Sequence, residues 1–170
     1  MKKLLATSVV AIMAVLSTGV RAADQTAEGH GDAKAKLATG VSVTQKQEMD
    51  FKTLTRTSVD VAGEVVLAAD TGVITTPTGV SSSGTGDSGV MTISGAPNTE
   101  IATIEYEDAV LNDGNGNELT VSIQGPASTT LAADGKADIK LGGTLTLNGQ
   151  EPDGDYTTAN GTSYKVTVTY

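Results

Sequence analysis

The amino-acid sequence predicts an all-β domain, a sandwich or barrel of short strands. Three observations carry that prediction. Apolar residues recur at every second position in one segment after another, the spacing that puts them on one face of a strand. Clusters of Gly, Pro, Asn and Asp separate these segments at short intervals. Beyond Ala22 no apolar pattern of helical period reaches helix length.

The first segment is of a different kind. Lys2 and Lys3 precede an apolar run from Leu4 to Leu16, and small residues then lead to Val20-Arg21-Ala22. That is the pattern of a secretory signal peptide over residues 1–22, cleaved before Ala23. The run is too short to span a bilayer and a polar segment follows, so no stable membrane anchor is expected after cleavage. Export to the periplasm or beyond is the expected route. Residues 23–31 lack periodicity and read as a flexible tail, and residues 32–170 are expected to form one folded domain.

Within that domain, Ala33, Ala35, Leu37, Thr39, Val41 and Val43 share one parity, opposite Lys34, Lys36, Ser42 and Thr44. This is a long one-faced strand directly after the tail. It either opens the domain's own sheet or leaves to complete a neighbour's. Met49, Phe51 and Leu54 supply the next apolar cluster, with Phe51 its largest core candidate. Val59 to Leu67 reads as a strand bent at Gly63. Val73 and Ile74 begin a short strand that Pro77 ends, and Thr78 to Gly89 is a loop by composition.

Strands follow at Val90 to Ser94, Glu100 to Tyr106, Glu118 to Gln124 and Lys136 to Asn148. In the last of these, Ala137, Ile139, Leu141, Leu145 and Leu147 share the parity expected to be buried. A turn-rich stretch through Pro152, Gly154, Asn160 and Gly161 leads to a closing strand. There Tyr164, Val166, Val168 and Tyr170 alternate with Lys165, Thr167 and Thr169. Such a strand has to be paired in a sheet, or its apolar face stays in water.

Composition narrows the chemistry. The chain has 20 acidic and 11 basic residues, a net charge of −9, and loss of Lys2, Lys3 and Arg21 takes this to about −12. An acidic surface argues against nucleic acid and anionic lipid as partners. There are no cysteines, so no disulfide staples the fold and it rests on its buried area. One Phe, four Tyr and no Trp leave a core of Val, Ile, Leu and Ala, which suits a thin sandwich and poorly suits stacking on sugars.

No motif asks for catalysis, a cofactor or a metal. Gly86-Asp87-Ser88-Gly89 has the form of the nucleophile motif of trypsin-like serine proteases, with Val90 where that family has another Gly. The chemistry needs a positioned His base, and the one His, His30, sits in the tail without a His or Cys partner for a metal. Asn112 to Glu118 places oxygen side chains at alternate positions, loosely like a calcium loop. It lacks the Gly and Glu spacing of one, and its Asn-Gly pairs suit a hairpin. Glu151, Asp153 and Asp155 form a second acidic turn with the same two readings.

The strands together resemble a family of exported bacterial proteins known as domain of unknown function 4402. The matching pieces are AKAKLATGVSVT, MDFKTL, MTISGAPNTEIATI, LNDGNGNELTV, LGGTLTLNGQEPDGDY and the closing YKVTVTY, over residues 33–170. One residue departs: Lys52 stands where family members usually carry Gly after the Phe, so a local turn is reshaped. The family name implies no activity. Its layout is similar at fold level to that of pilus subunits assembled by donor-strand exchange, which implies an antiparallel sandwich of immunoglobulin-like form.

On that resemblance the expected function is a structural subunit of a bacterial surface filament, polymerised by β-strand complementation and not an enzyme. Ala33, Ala35, Leu37, Val41 and Val43 are the candidate donor residues; Tyr164, Val166, Val168 and Tyr170 are the candidate strand bordering the acceptor groove. The implied partners are further copies of the chain and a periplasmic chaperone, and the implied destination is the cell surface or an extracellular filament. The alternative is a monomeric secreted or surface module that binds a glycan or another ligand through its Gly- and Ser-rich loops.

Overall fold

A computed structural model describes Lys34 and residues 39–170 of the protein. The segments expected to be a signal peptide and a tail, and Ala33, Ala35 and Leu37, lie outside the described residues. No helix occurs among the described residues, and every strand pair is antiparallel. In chain order the strands are β1 (Ser42–Gln47), β2 (Leu54–Arg56), β3 (Ala62–Leu67), β4 (Ile74–Thr75), β5 (Val80–Ser82), β6 (Gly89–Ser94) and β7 (Glu100–Ile101). Then come β8 (Thr103–Glu107), β9 (Ala109–Asn112), β10 (Glu118–Gln124), β11 (Thr129–Thr130), β12 (Lys136–Asn148), β13 (Thr157–Thr162) and β14 (Lys165–Thr169).

The fold is organised by β12. Its first half pairs with β6, Lys136 opposite Ser94 and Leu141 opposite Gly89, and β6 pairs in turn with β1. Its second half pairs with β3 and with β10, so Leu145 has Val65 on one side and Val121 on the other. Beyond β10 lie β9 and then β13; beyond β3 lies β4. The eight strands make one sheet curled into a half-barrel. Three two-stranded ribbons, β2–β5, β7–β11 and β8–β14, complete the described strands.

The alternation in β12 and β10 sets which face is buried. Ile139, Leu141, Leu145 and Leu147 are buried, as are Leu119, Val121 and Ile123, while Lys140, Thr146, Thr120 and Ser122 between them are exposed. Gly142-Gly143 marks the point where β12 passes from one set of partners to the other. A Cβ on Gly142 would lie 2.3 Å from the Leu67 carbonyl oxygen, and one on Gly143 would lie 2.8 Å from Val121 Cγ1. Only glycine lets β3 and β10 close on both sides of β12 at this point.

Several strand expectations are corrected. Thr78 to Gly89 is not all loop: β5 lies inside it, pairs with β2 and buries Val80. The strand expected from Val59 starts at Ala62. Val59 is 61% exposed, because a turn in which the Ser58 hydroxyl accepts from the Asp60 amide precedes the first rung. Glu100 to Tyr106 is two strands, β7 pairing with β11 and β8 with β14, broken at Ala102. The turn-rich stretch before the closing strand contains β13, held on β9. The leading strand, among the described residues, begins at Ser42 and continues beyond the expected end to the polar Gln47.

Candidate functional site

The inner faces of β9, β10 and β12 form one side of a groove of about 1140 Å³. Leu111, Leu119, Val121, Leu145 and Leu147 supply its apolar floor. Facing them is the segment from Gln45 to Arg56, which contributes Met49, Phe51 and Leu54, all three half-buried. Phe51, the largest core candidate, therefore lines a groove instead of closing a core. Tyr156 and Tyr164 stand at its margins, and Glu48, Asp50, Lys52, Arg56, Asp153 and Asp155 make a charged rim.

Two polar clusters fix that rim. The first surrounds Lys52, whose φ is +58°. This is the left-handed region that favours glycine, and it is the position where the family resemblance leads one to expect Gly. The Asp50 carboxylate accepts from the Lys52 amide at 2.6 Å. The Lys52 ammonium donates to Asp50 Oδ2 at 2.9 Å and to Asp87 Oδ2 at 2.5 Å. Hydrogen bonding from the Lys52 side chain holds the Asp50 carboxyl below its ordinary range, and the two carboxylates push the lysine up. Asp50 and Asp87 also pair through their backbones at 2.9 Å, so the segment is pinned to the start of β6.

The second cluster joins β2 to the acidic turn after β12. Arg56 Nη2 donates to the Glu151 carbonyl at 2.7 Å and to Asp153 Oδ1 at 2.8 Å. The Glu151 side chain is only 6% exposed and accepts from the amides of Asn148, Gly149 and Gln150 at 2.6, 3.1 and 3.2 Å. Burial pushes its pKa up, but these backbone donors outweigh that and hold it below the usual glutamate value. Tyr156 Oη closes the turn on the Pro152 carbonyl at 2.9 Å. The acidic turn is thus a clasp on the groove's lip, with the Glu151 oxygens engaged by protein donors.

The Asn112–Glu118 segment is the hairpin loop between β9 and β10, with Glu118 opposite Asn112. Asp113 Oδ1 accepts from the amides of Asn115 and Asn117, and Oδ2 from Asn117 Nδ2 at 2.7 Å. The Asn117 side chain is the main reason its pKa falls to about 2. Among the described residues no three His, Cys, Asp or Glu side chains cluster as a metal site.

The candidate residues at the two ends of the domain are placed as follows. Val41 and Val43 are half-buried against the core, and Val43 pairs with Ile93 in the chain's own sheet. Tyr164 lines the groove, and Val166 and Val168 on β14 pack half-buried opposite Tyr106 and Ile104. Tyr170 does not share their burial and is 64% exposed. The last rung of β14 is Thr169 on Thr103, so nothing stands opposite Tyr170. The groove lining from Met49 to Leu54 and the Arg56–Glu151 clasp were not legible as a site in the sequence. Their local traces are the apolar cluster around Phe51 and the acidic turn of Glu151, Asp153 and Asp155.

Fold and groove together define an all-β antiparallel domain whose curled sheet is covered along one side by half-buried side chains, with a groove between them. The chain belongs to the family described as Domain of unknown function (DUF4402), whose profile matches residues 41–170. The alternating residues 33–40 lie ahead of the match. No curated protein and no solved structure matches the chain.

Proposed function

We propose that the protein is a structural subunit of a bacterial surface filament, an immunoglobulin-like sandwich exported through the periplasm and polymerised by β-strand complementation. The observation that carries this reading is the groove between a buried apolar floor and the half-buried Met49, Phe51 and Leu54, in a chain that also carries a one-faced alternating segment ahead of β1. A groove left between the sheet and its covering segment forgoes packing contacts, and a supplied strand would add them. A periplasmic chaperone would fill the same role before assembly.

Sizing of the mature protein tests the reading. Ladders that survive mild detergent, and fibres on the cell surface by electron microscopy that vanish when the protein is absent, are the expected results. A clean monomer at all concentrations would instead favour a secreted module that binds a glycan or other ligand. N-terminal sequencing of the exported protein should begin at Ala23; an intact Met1 end would remove the export step.

A further inference from the structure

The dipeptide Asn-Gly occurs three times in the chain, at Asn115-Gly116, Asn148-Gly149 and Asn160-Gly161. Asparagine is a thermolabile residue, and a following glycine makes it more so. With no side chain in the way, the glycine amide nitrogen can be turned onto the asparagine Cγ. We infer that the fold directs this chemistry to one of the three: Asn115, in the β9–β10 loop, converts to aspartate and isoaspartate in the folded protein, while Asn148 and Asn160 are held unreactive by their surroundings.

Reaction needs a free glycine amide and a backbone with room to turn. Asn115 has both. Asn115 and Gly116 are exposed, and a Cβ built on Gly116 would meet nothing within 4 Å beyond its chain neighbours. The Gly116 amide has no hydrogen-bond partner among the described residues, whereas the amides of Asn115 and Asn117 donate to Asp113 Oδ1 at 2.8 and 3.1 Å. Among the described residues the Asn115 side chain makes one hydrogen bond, from Nδ2 to Asp113 Oδ2 at 3.4 Å, long enough to be weak.

The other two pairs are closed. Gly149 is buried and its amide donates to Glu151 Oε2 at 3.1 Å, while a Cβ on it would lie 2.8 Å from the Asp60 carbonyl oxygen. Asn160-Gly161 lies inside β13, and a Cβ on Gly161 would lie 2.0 Å from the Val110 carbonyl oxygen. That strand would have to leave β9 before the glycine amide could meet Cγ.

In the step itself the Gly116 nitrogen gives its proton to a solvent base and bonds to Asn115 Cγ. The Cγ–Nδ2 bond breaks and ammonia leaves. Water then opens the cyclic imide at either carbonyl, giving aspartate or, where the chain now runs through the side chain, isoaspartate. The product carries one more negative charge, on the loop of Asp113. That loop touches the acidic turn at the groove's lip, where a Cβ on Gly154 would lie 3.6 Å from Asp113 Cβ. Ageing therefore adds charge beside the clasp, and the isoaspartate branch lengthens the hairpin backbone by a methylene.

The test is to keep the purified protein folded at mildly alkaline pH and follow all three asparagines by peptide mapping with tandem mass spectrometry. Labelling with an isoaspartyl methyltransferase marks the rearranged product. The Asn115 peptide should become about 1 Da heavier. Asn148 and Asn160 should convert at least about tenfold more slowly, since a held amide must first break its hydrogen bond or strand pairing. Conversion at Asn115 no faster than at the other two overturns the inference. In guanidinium, where the fold is gone, the three rates should draw together. An undiminished preference for Asn115 there would mean that neighbouring sequence, and not the fold, directs the chemistry, which also overturns it. Glu151→Gln in the folded protein should speed Asn148 several-fold and leave Asn115 unchanged; an unmoved Asn148 overturns the protection assigned to Glu151.

Discussion

The two halves of β12 carry one alternation and finish differently. In the first half Ile139 and Leu141 are sealed together with Ile93, Ile101 and Leu131, all at 0–3% exposure. In the second half Leu145 and Leu147 are themselves buried, but the layer across from them is the half-buried Met49, Phe51 and Leu54, with a groove between. The same pattern therefore specifies which face of the strand avoids water and is silent on what covers it. One half is finished by the chain's own side chains, and the other has room for more.

The largest expected effect contrasts those halves directly. Leu141→Ala should cost about 2–5 kcal/mol, the range for a truncated leucine in a packed core. Leu54→Ala, on the open side, should cost about 1 kcal/mol. Urea unfolding followed by far-UV circular dichroism measures both, and equal losses would erase the distinction between the halves.

The next sharpens the closed end. Val41 packs against the core beside Gly95, whereas Ser42 is exposed on the other face. Val41→Asp should cost about 1–3 kcal/mol through a poorly solvated charge, and Ser42→Asp should stay within about 0.5 kcal/mol. Thermal melts of the two variants give the comparison; matching tolerance would place Val41 in water.

At the open end the clasp should respond to acid. The Glu151 pKa is lower folded than its ordinary 4.5, so its contribution is fully present above that value and drains as pH falls through the lower folded value. Glu151→Gln should remove this part of the acid dependence and cost about 1–3 kcal/mol at neutral pH. Hydrogen exchange at the amides of Asn148, Gly149 and Gln150 should accelerate in the variant, and unchanged protection there would show that the carboxylate does not hold the lip. The smallest effect concerns the β9–β10 loop, where Asp113 already serves four donors. Melts with calcium and with chelator should coincide, and a shift of several degrees would mean that the loop takes an ion.

What could be read from the sequence followed from the strength of its alternation. The buried parity of β12 was legible because Ala137, Ile139, Leu141, Leu145 and Leu147 keep it on both sides of Gly142-Gly143. β13 was not, since TTANGT offers no apolar face and pairs with β9 through its backbone. β7 and β8 merged because Ile101 and Ile104 are both buried yet differ in parity, a flip at Ala102 that a single alternating strand cannot contain. The groove was hidden for a different reason. Arg56 and Glu151 meet across 95 positions, and contacts at that separation leave no local mark.

The central place of β12 also bears on how quickly the domain can form. Val65 must find Leu145, 80 positions later, and Val121 waits for that same residue. Until β12 arrives, β3, β6 and β10 have no common neighbour, and their bare strand margins persist. Domains dominated by such distant pairings fold in milliseconds to seconds, slowly enough for exposed margins to find wrong partners at high concentration. A helper that shields the unfinished chain would act on a kinetic interval that the position of β12 itself creates.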